Sequence, residues 1–150
     1  MYTCFSFSPK NIFIVSVLLL LGIIMSEGGN TRVGKHVAVF VKNVAVVFKE
    51  VKKRGNTIVK ELEDGPVACA NIPEDTKILQ YYKIKTKDVE YDGPVKIRIV
   101  LPCRIAEGER ELWKWHKETK IWKNITEKYN PDYHVIVSKE LERLSIFGVT

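Results

Sequence analysis

The sequence predicts an all-β fold, an antiparallel β-sandwich of immunoglobulin-like or Greek-key type, preceded by one N-terminal hydrophobic helix. Three observations predict it. About nine short segments rich in β-branched and aromatic residues fill residues 36–149, with turn residues roughly every 8 to 15 positions. Two of those segments alternate polar and apolar residues with period two. A single uncharged apolar run stands at the amino terminus. The length, 150 residues, suits one domain plus a targeting segment. Hydrophobic residues make up 45% and charged residues 28%, which excludes a disordered polyampholyte, a collagen-like fibre and a polytopic membrane protein.

From Ile12 to Met25 the chain reads IFIVSVLLLLGIIM, and Lys10 is the only charge before Glu27. One cation, an uncharged apolar run and then Ser26-Glu27-Gly28-Gly29 is the plan of an export signal, with everything after it delivered outside the cytoplasm. The uncharged stretch Asn11–Ser26 would make roughly 24 Å of helix, against a hydrocarbon core of about 30 Å. Two readings therefore stay open for residues 1–26: a signal peptide cleaved after Ser26, or a single-pass transmembrane anchor that makes the membrane the partner of residues 12–25. A buried core helix fits less well, because nothing polar interrupts the run to give it a wet face. The formal net charge is +6, and only Lys10 would leave with residues 1–26, so the exported part is basic. Lys and Glu are abundant while Gln80 is the only glutamine, a thermophile-like, archaeal-like bias.

Residues 27–35 read as a glycine-containing linker, leaving 36–150 as the β-sandwich domain. His36–Val41 and Val44–Val51 are strands separated by Lys42-Asn43, and Arg54-Gly55-Asn56 turns the chain into Thr57–Leu62. Val44, Val47, Phe48 and Val51 are also spaced for a helix face, but their β-branched content favours strand. Tyr81–Thr86 and Val95–Leu101 carry the clean alternation: Lys83 and Lys85 oppose Tyr82 and Ile84, and Lys96 and Arg98 oppose Val95, Ile97 and Ile99. Leu112–His116, Ile121–Thr126, Tyr133–Val137 and Leu144–Val149 complete the set. Asp-Gly-Pro-Val occurs at Asp64–Val67 and Asp92–Val95, and both copies read as turns.

Tyr81-Tyr82-Lys83-Ile84-Lys85-Thr86 with Tyr91-Asp92-Gly93-Pro94-Val95-Lys96-Ile97 is similar to a "yyxIxTxaxyxGxVxVxI" pattern. Leu112-Trp113-Lys114-Trp115-His116 with Trp122-Lys123-Asn124-Ile125-Thr126 is similar to "LxLYH…WxDVT". Leu144-Ser145-Ile146-Phe147-Gly148-Val149 is similar to "FSxFxV", and Val47–Val51 with Gly55–Val59 fits a "vxFxxVxxxGxTxV" opening. Together these resemble a small β-sandwich module of bacterial and archaeal surface and secreted proteins, often found beside PKD-like and cohesin or dockerin modules. The resemblance implies an accessory, non-catalytic role and transfers no active-site motif. Many members carry a cysteine in the penultimate strand, where this chain reads His134-Val135-Ile136-Val137.

The candidate site residues are few. Cys69 and Cys103 form a candidate disulfide in an oxidising exterior, worth about 3 to 4 kcal/mol if it closes the loop of about 35 residues between them; two half-buried thiols are the alternative, and Cys4 stays with the leader. Trp113, Trp115 and Trp122 fall on one face of a predicted hairpin, Trp115 opposite Trp122. They serve either as packing or as a platform for a sugar ring. Lys83, Lys85, Lys87, Lys96 and Arg98 would make one basic face if their strands pair, suited to acidic glycans or anionic headgroups. Asn124-Ile125-Thr126 is a glycosylation sequon at Asn124, although the resemblance gives its Thr a structural place. His36, His116 and His134 lack metal-ligand spacing, so no metal, cofactor or catalytic residue is nominated, and no nucleic-acid partner is expected. The expected role is a non-catalytic, exported or membrane-anchored cell-envelope module, structural or adhesive, touching an envelope protein or an acidic or neutral glycan. The alternative is a carbohydrate-binding module using the Trp113, Trp115 and Trp122 face.

Overall fold

The computed structural model describes residues 28–67, 72–73 and 76–150. The predicted amino-terminal helix and Cys69 lie outside the described residues. Among the described residues no helix is long and apolar enough to cross a membrane.

Eleven strands and one short helix are described: β1 (Gly28–Thr31), β2 (Gly34–Val41), β3 (Val44–Lys53), β4 (Gly55–Leu62), β5 (Gln80–Lys87), β6 (Glu90–Val100), α1 (Cys103–Ala106), β7 (Leu112–His116), β8 (Ile121–Asn124), β9 (Thr126–Asn130), β10 (Val135–Ser138) and β11 (Ile146–Val149). A first sheet has the order β1-β4-β5-β11-β7-β8 and a second the order β2-β3-β6-β10-β9. Every pairing is antiparallel. The two sheets pack face to face as an all-β sandwich.

Period-two patterning decides which side chains go inside. In β3, Val44, Val46 and Phe48 point into the core and meet Ile99, Ile97 and Val95 of β6 across the ladder. This resolves the helix-or-strand ambiguity of Val44–Val51: β-branched residues at alternate positions pack on a pleated surface, whereas a helix would have buried Val47, which faces outward. The first sheet contributes Val59, Tyr82, Ile84, Leu112, Phe147 and Val149 to the same core. Tyr82 reaches across it: its phenol accepts a hydrogen bond from Asn43 Nδ2 in the β2–β3 turn, at 3.1 Å. The other buried polar groups are paired too. Thr31 and Thr57 share a hydroxyl–hydroxyl bond of 2.7 Å, and Ser138 Oγ accepts the Ile97 N–H at 2.9 Å.

Both lateral margins of the sandwich are formed by chain passing from one sheet to the other. At one margin β1, at the edge of the first sheet, leads through Arg32-Val33 into β2, at the edge of the second. At the other, β8 leads into β9 through the single residue Ile125. Ile125 donates its N–H to the Leu112 carbonyl of the first sheet at 2.8 Å and accepts from Lys139 N–H, just past β10, at 2.7 Å.

Four boundaries differ from the sequence expectation, each for a local reason. The expected linker 27–35 contains β1 and the start of β2. Its glycines read as flexible, but Gly29 is there for close approach: a Cβ on it would lie 2.5 Å from Val39 Cγ1 and 2.9 Å from Val41 Cγ2. Asp92-Gly93-Pro94 is no turn but an irregularity inside β6, with Gly93 at φ 79° and a register shift opposite Phe48–Glu50. Ile121–Thr126 is divided at Ile125. Tyr133 and His134 belong to the β9–β10 turn, where His134 takes φ 56°.

Gly29→Ala is expected to lose about 1 to 3 kcal/mol, the usual range for overpacking a filled interior. Urea unfolding of residues 27–150 should show the midpoint falling with the slope unchanged.

Candidate functional site

The outer face of the first sheet carries a second apolar cluster. Side chains alternate along β7, so Leu112 faces the core while Trp113 and Trp115 face outward, and Trp122 of β8 stands directly opposite Trp115. The Trp115 and Trp122 ring centroids are 5.4 Å apart and tilted by 56°, and Tyr81 of β5 lies 6.0 Å from Trp122. These are favourable aromatic geometries. An outward face would ordinarily leave them wet, yet Trp113, Trp115 and Trp122 are only 8%, 9% and 1% exposed.

The segment between β4 and β5 covers them. Trp122 Nε1 donates to the Pro66 carbonyl at 3.3 Å, and Ile72 and Ile78 pack on the indoles. Two glycines make this fit possible. A Cβ at Gly65 would lie 2.1 Å from the Tyr81 ring, and one at Gly148 of β11 would lie 2.9 Å from Ile78 Cγ2. Trp113 Nε1 donates to Thr150 Oγ1 at 3.2 Å. The structure thus unites the three tryptophans, and it does so as a packed satellite core; none offers an open ring face. Beside them, a recess of about 650 Å³ is lined by Glu63, Asp64, Thr76, Lys77, Tyr81 and Trp122. Burial first, and then the Asp64 carboxylate, raises the Tyr81 phenol above its usual range.

The five predicted basic residues do not share a face. Lys83, Lys85 and Lys87 lie on β5 in the first sheet, whereas Lys96 and Arg98 lie on β6 in the second, so the two groups look out from opposite sides of the sandwich. Alternation within each strand was read correctly, but β5 and β6 are consecutive in sequence and belong to different layers. Lys60 of β4 stands opposite Lys83 instead, giving a smaller exposed basic cluster with Lys85 and Lys87. Lys96 is paired with Glu127 at 2.5 Å.

The remaining candidates are dispersed. Cys103 opens α1, half-buried, while its proposed partner Cys69 is outside the described residues. Asn124 is exposed and its Oδ1 accepts the Thr126 N–H at 2.9 Å. Thr126 Oγ1 accepts the Leu112 N–H at 2.8 Å, so the sequon's threonine also holds β7 to the β8–β9 crossing. His36 lies on β2, His116 ends β7 and His134 sits in the β9–β10 turn. Among the described residues no group of three or more His, Cys, Asp or Glu side chains converges on a metal-sized site. His116 is held below its ordinary 6.5 by partial burial, and further by the ammonium groups of Lys114 and Lys123, with Glu118 opposing them. Burial likewise pushes the Lys114 ammonium down.

Sequence reasoning missed the cover of the tryptophans. No local pattern signals it, since the contacts of Gly65 with Tyr81 and of Gly148 with Ile78 exist only in the folded chain.

The chain matches no protein-family model, and no curated protein or solved structure is significantly similar to it.

Two outcomes follow from this arrangement. Gly65→Leu should force the covering segment off Tyr81, shifting tryptophan emission to the red and opening it to acrylamide; unchanged emission would contradict the packing described. Because His116 has a lowered folded pKa, the unfolded chain binds the proton more readily. Stability should therefore fall as pH drops through 6.5 and level off below the folded value. Denaturant midpoints between pH 8 and 5 should show this slope, reduced in His116→Gln.

Proposed function

We propose that this chain is a non-catalytic cell-envelope module, exported and either released or anchored in the membrane through residues 12–25, with a structural or adhesive role. Its sandwich is of the immunoglobulin-like, Greek-key kind, and the hydrophobic helix that the sequence predicts lies within residues 1–26. The observation that carries this reading is the junction itself. An uncharged run ends at Ser26, and by Gly28 the chain is already in a strand of a sandwich whose lateral margins are both made by crossing chain. A sandwich joined across both margins is held as one body around a shared core, which suits a part that keeps its shape outside the cell.

The motifs that resemble surface-protein modules support the same reading by what they do in the fold. Tyr82, Ile84, Val95, Ile97, Leu112, Phe147 and Val149 are core residues. Thr126 and Ser145 tie strands together, Ser145 Oγ donating to the Trp115 carbonyl at 2.7 Å. The pattern is thus a recipe for a scaffold, and in such modules partner contacts fall on loops and outer faces. The carbohydrate-binding alternative loses its platform in this arrangement, since the indoles are covered.

Fractionation of the source cells with amino-terminal sequencing tests the proposal. The protein should be recovered from the membrane or the extracellular fraction, with residue 1 or residue 27 at its amino end respectively. Recovery from the soluble cytoplasm with Met1 intact would overturn it.

A further inference from the structure

The chain enters the sandwich beside an exposed apolar patch. Gly29 packs on Val39 and Val41, and a Cβ on it would lie 3.4 Å from the Phe40 carbonyl oxygen. The first described residues therefore sit against the last residues of β2. At this end of the second sheet, Phe40 is 71% exposed, Val100 49% and Tyr133 74%. The three belong to one connected surface. Phe40 faces outward opposite Ala45, two residues from Asn43, and Asn43 bonds Val100 twice, by its carbonyl at 2.9 Å and its amide at 2.8 Å. The Leu101 N–H donates to the His134 carbonyl at 2.7 Å, which brings the Tyr133 turn alongside, and Val135 stands opposite Val100.

Cations flank this surface. Across the outer face, one row of paired residues runs Phe40, Ala45, Arg98, Val137, Lys128. Lys42, in the adjoining turn, is exposed. Two carboxylates oppose them, Asp132 beside Tyr133 and Glu61, which acts on the Tyr82 phenol at the Asn43 turn together with the Arg104 guanidinium, while Glu127 is taken up by Lys96. Exposed aromatic and aliphatic side chains fringed by Lys and Arg suit the boundary between headgroups and acyl chains of an anionic bilayer.

Chain length selects that occupant. Three peptide units separate Met25, the end of the uncharged run, from Gly28, and they span at most about 11 Å. If residues 12–25 sit in the bilayer, the Phe40 end of the sandwich cannot lie far from its surface. We propose that Phe40, Val100 and Tyr133, flanked by Lys42, Arg98 and Lys128, rest against an anionic membrane surface and fix the orientation of the sandwich on it. The inference rests on the anchored form of the reading above. It sets the β7–β8 turn, at the far end of the first sheet, pointing away from the lipid.

The test uses the full chain in vesicles of phosphatidylcholine with or without phosphatidylglycerol. An azide-bearing amino acid placed at position 40, 133 or 120 carries an environment-sensitive dye, leaving the native cysteines untouched; all three positions are exposed, and tryptophan emission verifies the fold. Dyes at 40 and 133 should shift to the blue and be quenched by nitroxide lipids about threefold more than the dye at 120, with the difference larger when phosphatidylglycerol is present. Equal quenching at all three positions, in chain that resists carbonate extraction, would overturn the docking surface and leave the anchor standing. Chain washed off by carbonate would overturn both. A blue shift at 40 without lipid quenching would show that protein, not lipid, covers the patch, and would overturn the proposal too.

Discussion

The two sheets stay in mutual register because the chain passes directly from one into the other at both margins, with almost no slack. At the β1–β2 margin the limiting contact is Gly29 against Val39 and Val41, where no side chain fits. At the β8–β9 margin a single residue makes the crossing. Short crossings fix the spacing of the layers, and that spacing determines which side chains can fill it. Phe48, Phe147 and Tyr82 are all fully buried between the sheets, and the phenol of Tyr82 reaches the Asn43 turn on the other side. The interior is thus specified by its seams as much as by its apolar content.

The first sheet departs from the usual one-sided pattern of an antiparallel sandwich. Its inner face packs on the second sheet, and part of its outer face packs under the β4–β5 segment, so β7 reads as Leu-Trp-Lys-Trp rather than as a simple alternation of apolar and polar residues. This also explains Lys114. It faces inward beside Phe147 and Lys123 near the end of the layer, and its burial there lowers its proton affinity. The second sheet keeps one face open, and its outward residues are unusually apolar around Phe40 and Val100.

Much of this was legible in the sequence, and the failures have physical causes. Alternation in β5 and β6 gave the correct inward faces, because burial on one side of a sheet imposes period two. Alternation does not say which sheet a strand joins, and so Lys83 and Arg98 appeared to share a surface that the layering divides. The β1 strand was hidden because Gly28-Gly29-Asn30-Thr31 has the composition of a linker; its need for glycine comes from the inward side chains of β2 in the facing sheet, which composition does not announce. The Asp-Gly-Pro-Val repeat misled for the opposite reason. The same four residues form loop at Asp64–Val67 and lie within β6 at Asp92–Val95, where β3 supplies the neighbouring strand. The opposition of Trp115 and Trp122 followed from hairpin register, whereas their burial depended on a segment whose placement no local pattern announces.

Ile125 has a mechanical meaning. Its amide is bound to one layer, its carbonyl to the other, and its side chain is buried between them. A force that tries to slide one layer over the other must break both bonds at once and drag an apolar side chain through packed interior. Loads applied to either layer would then be shared by the whole body, a useful property for a part that has to hold its shape while something pulls on it.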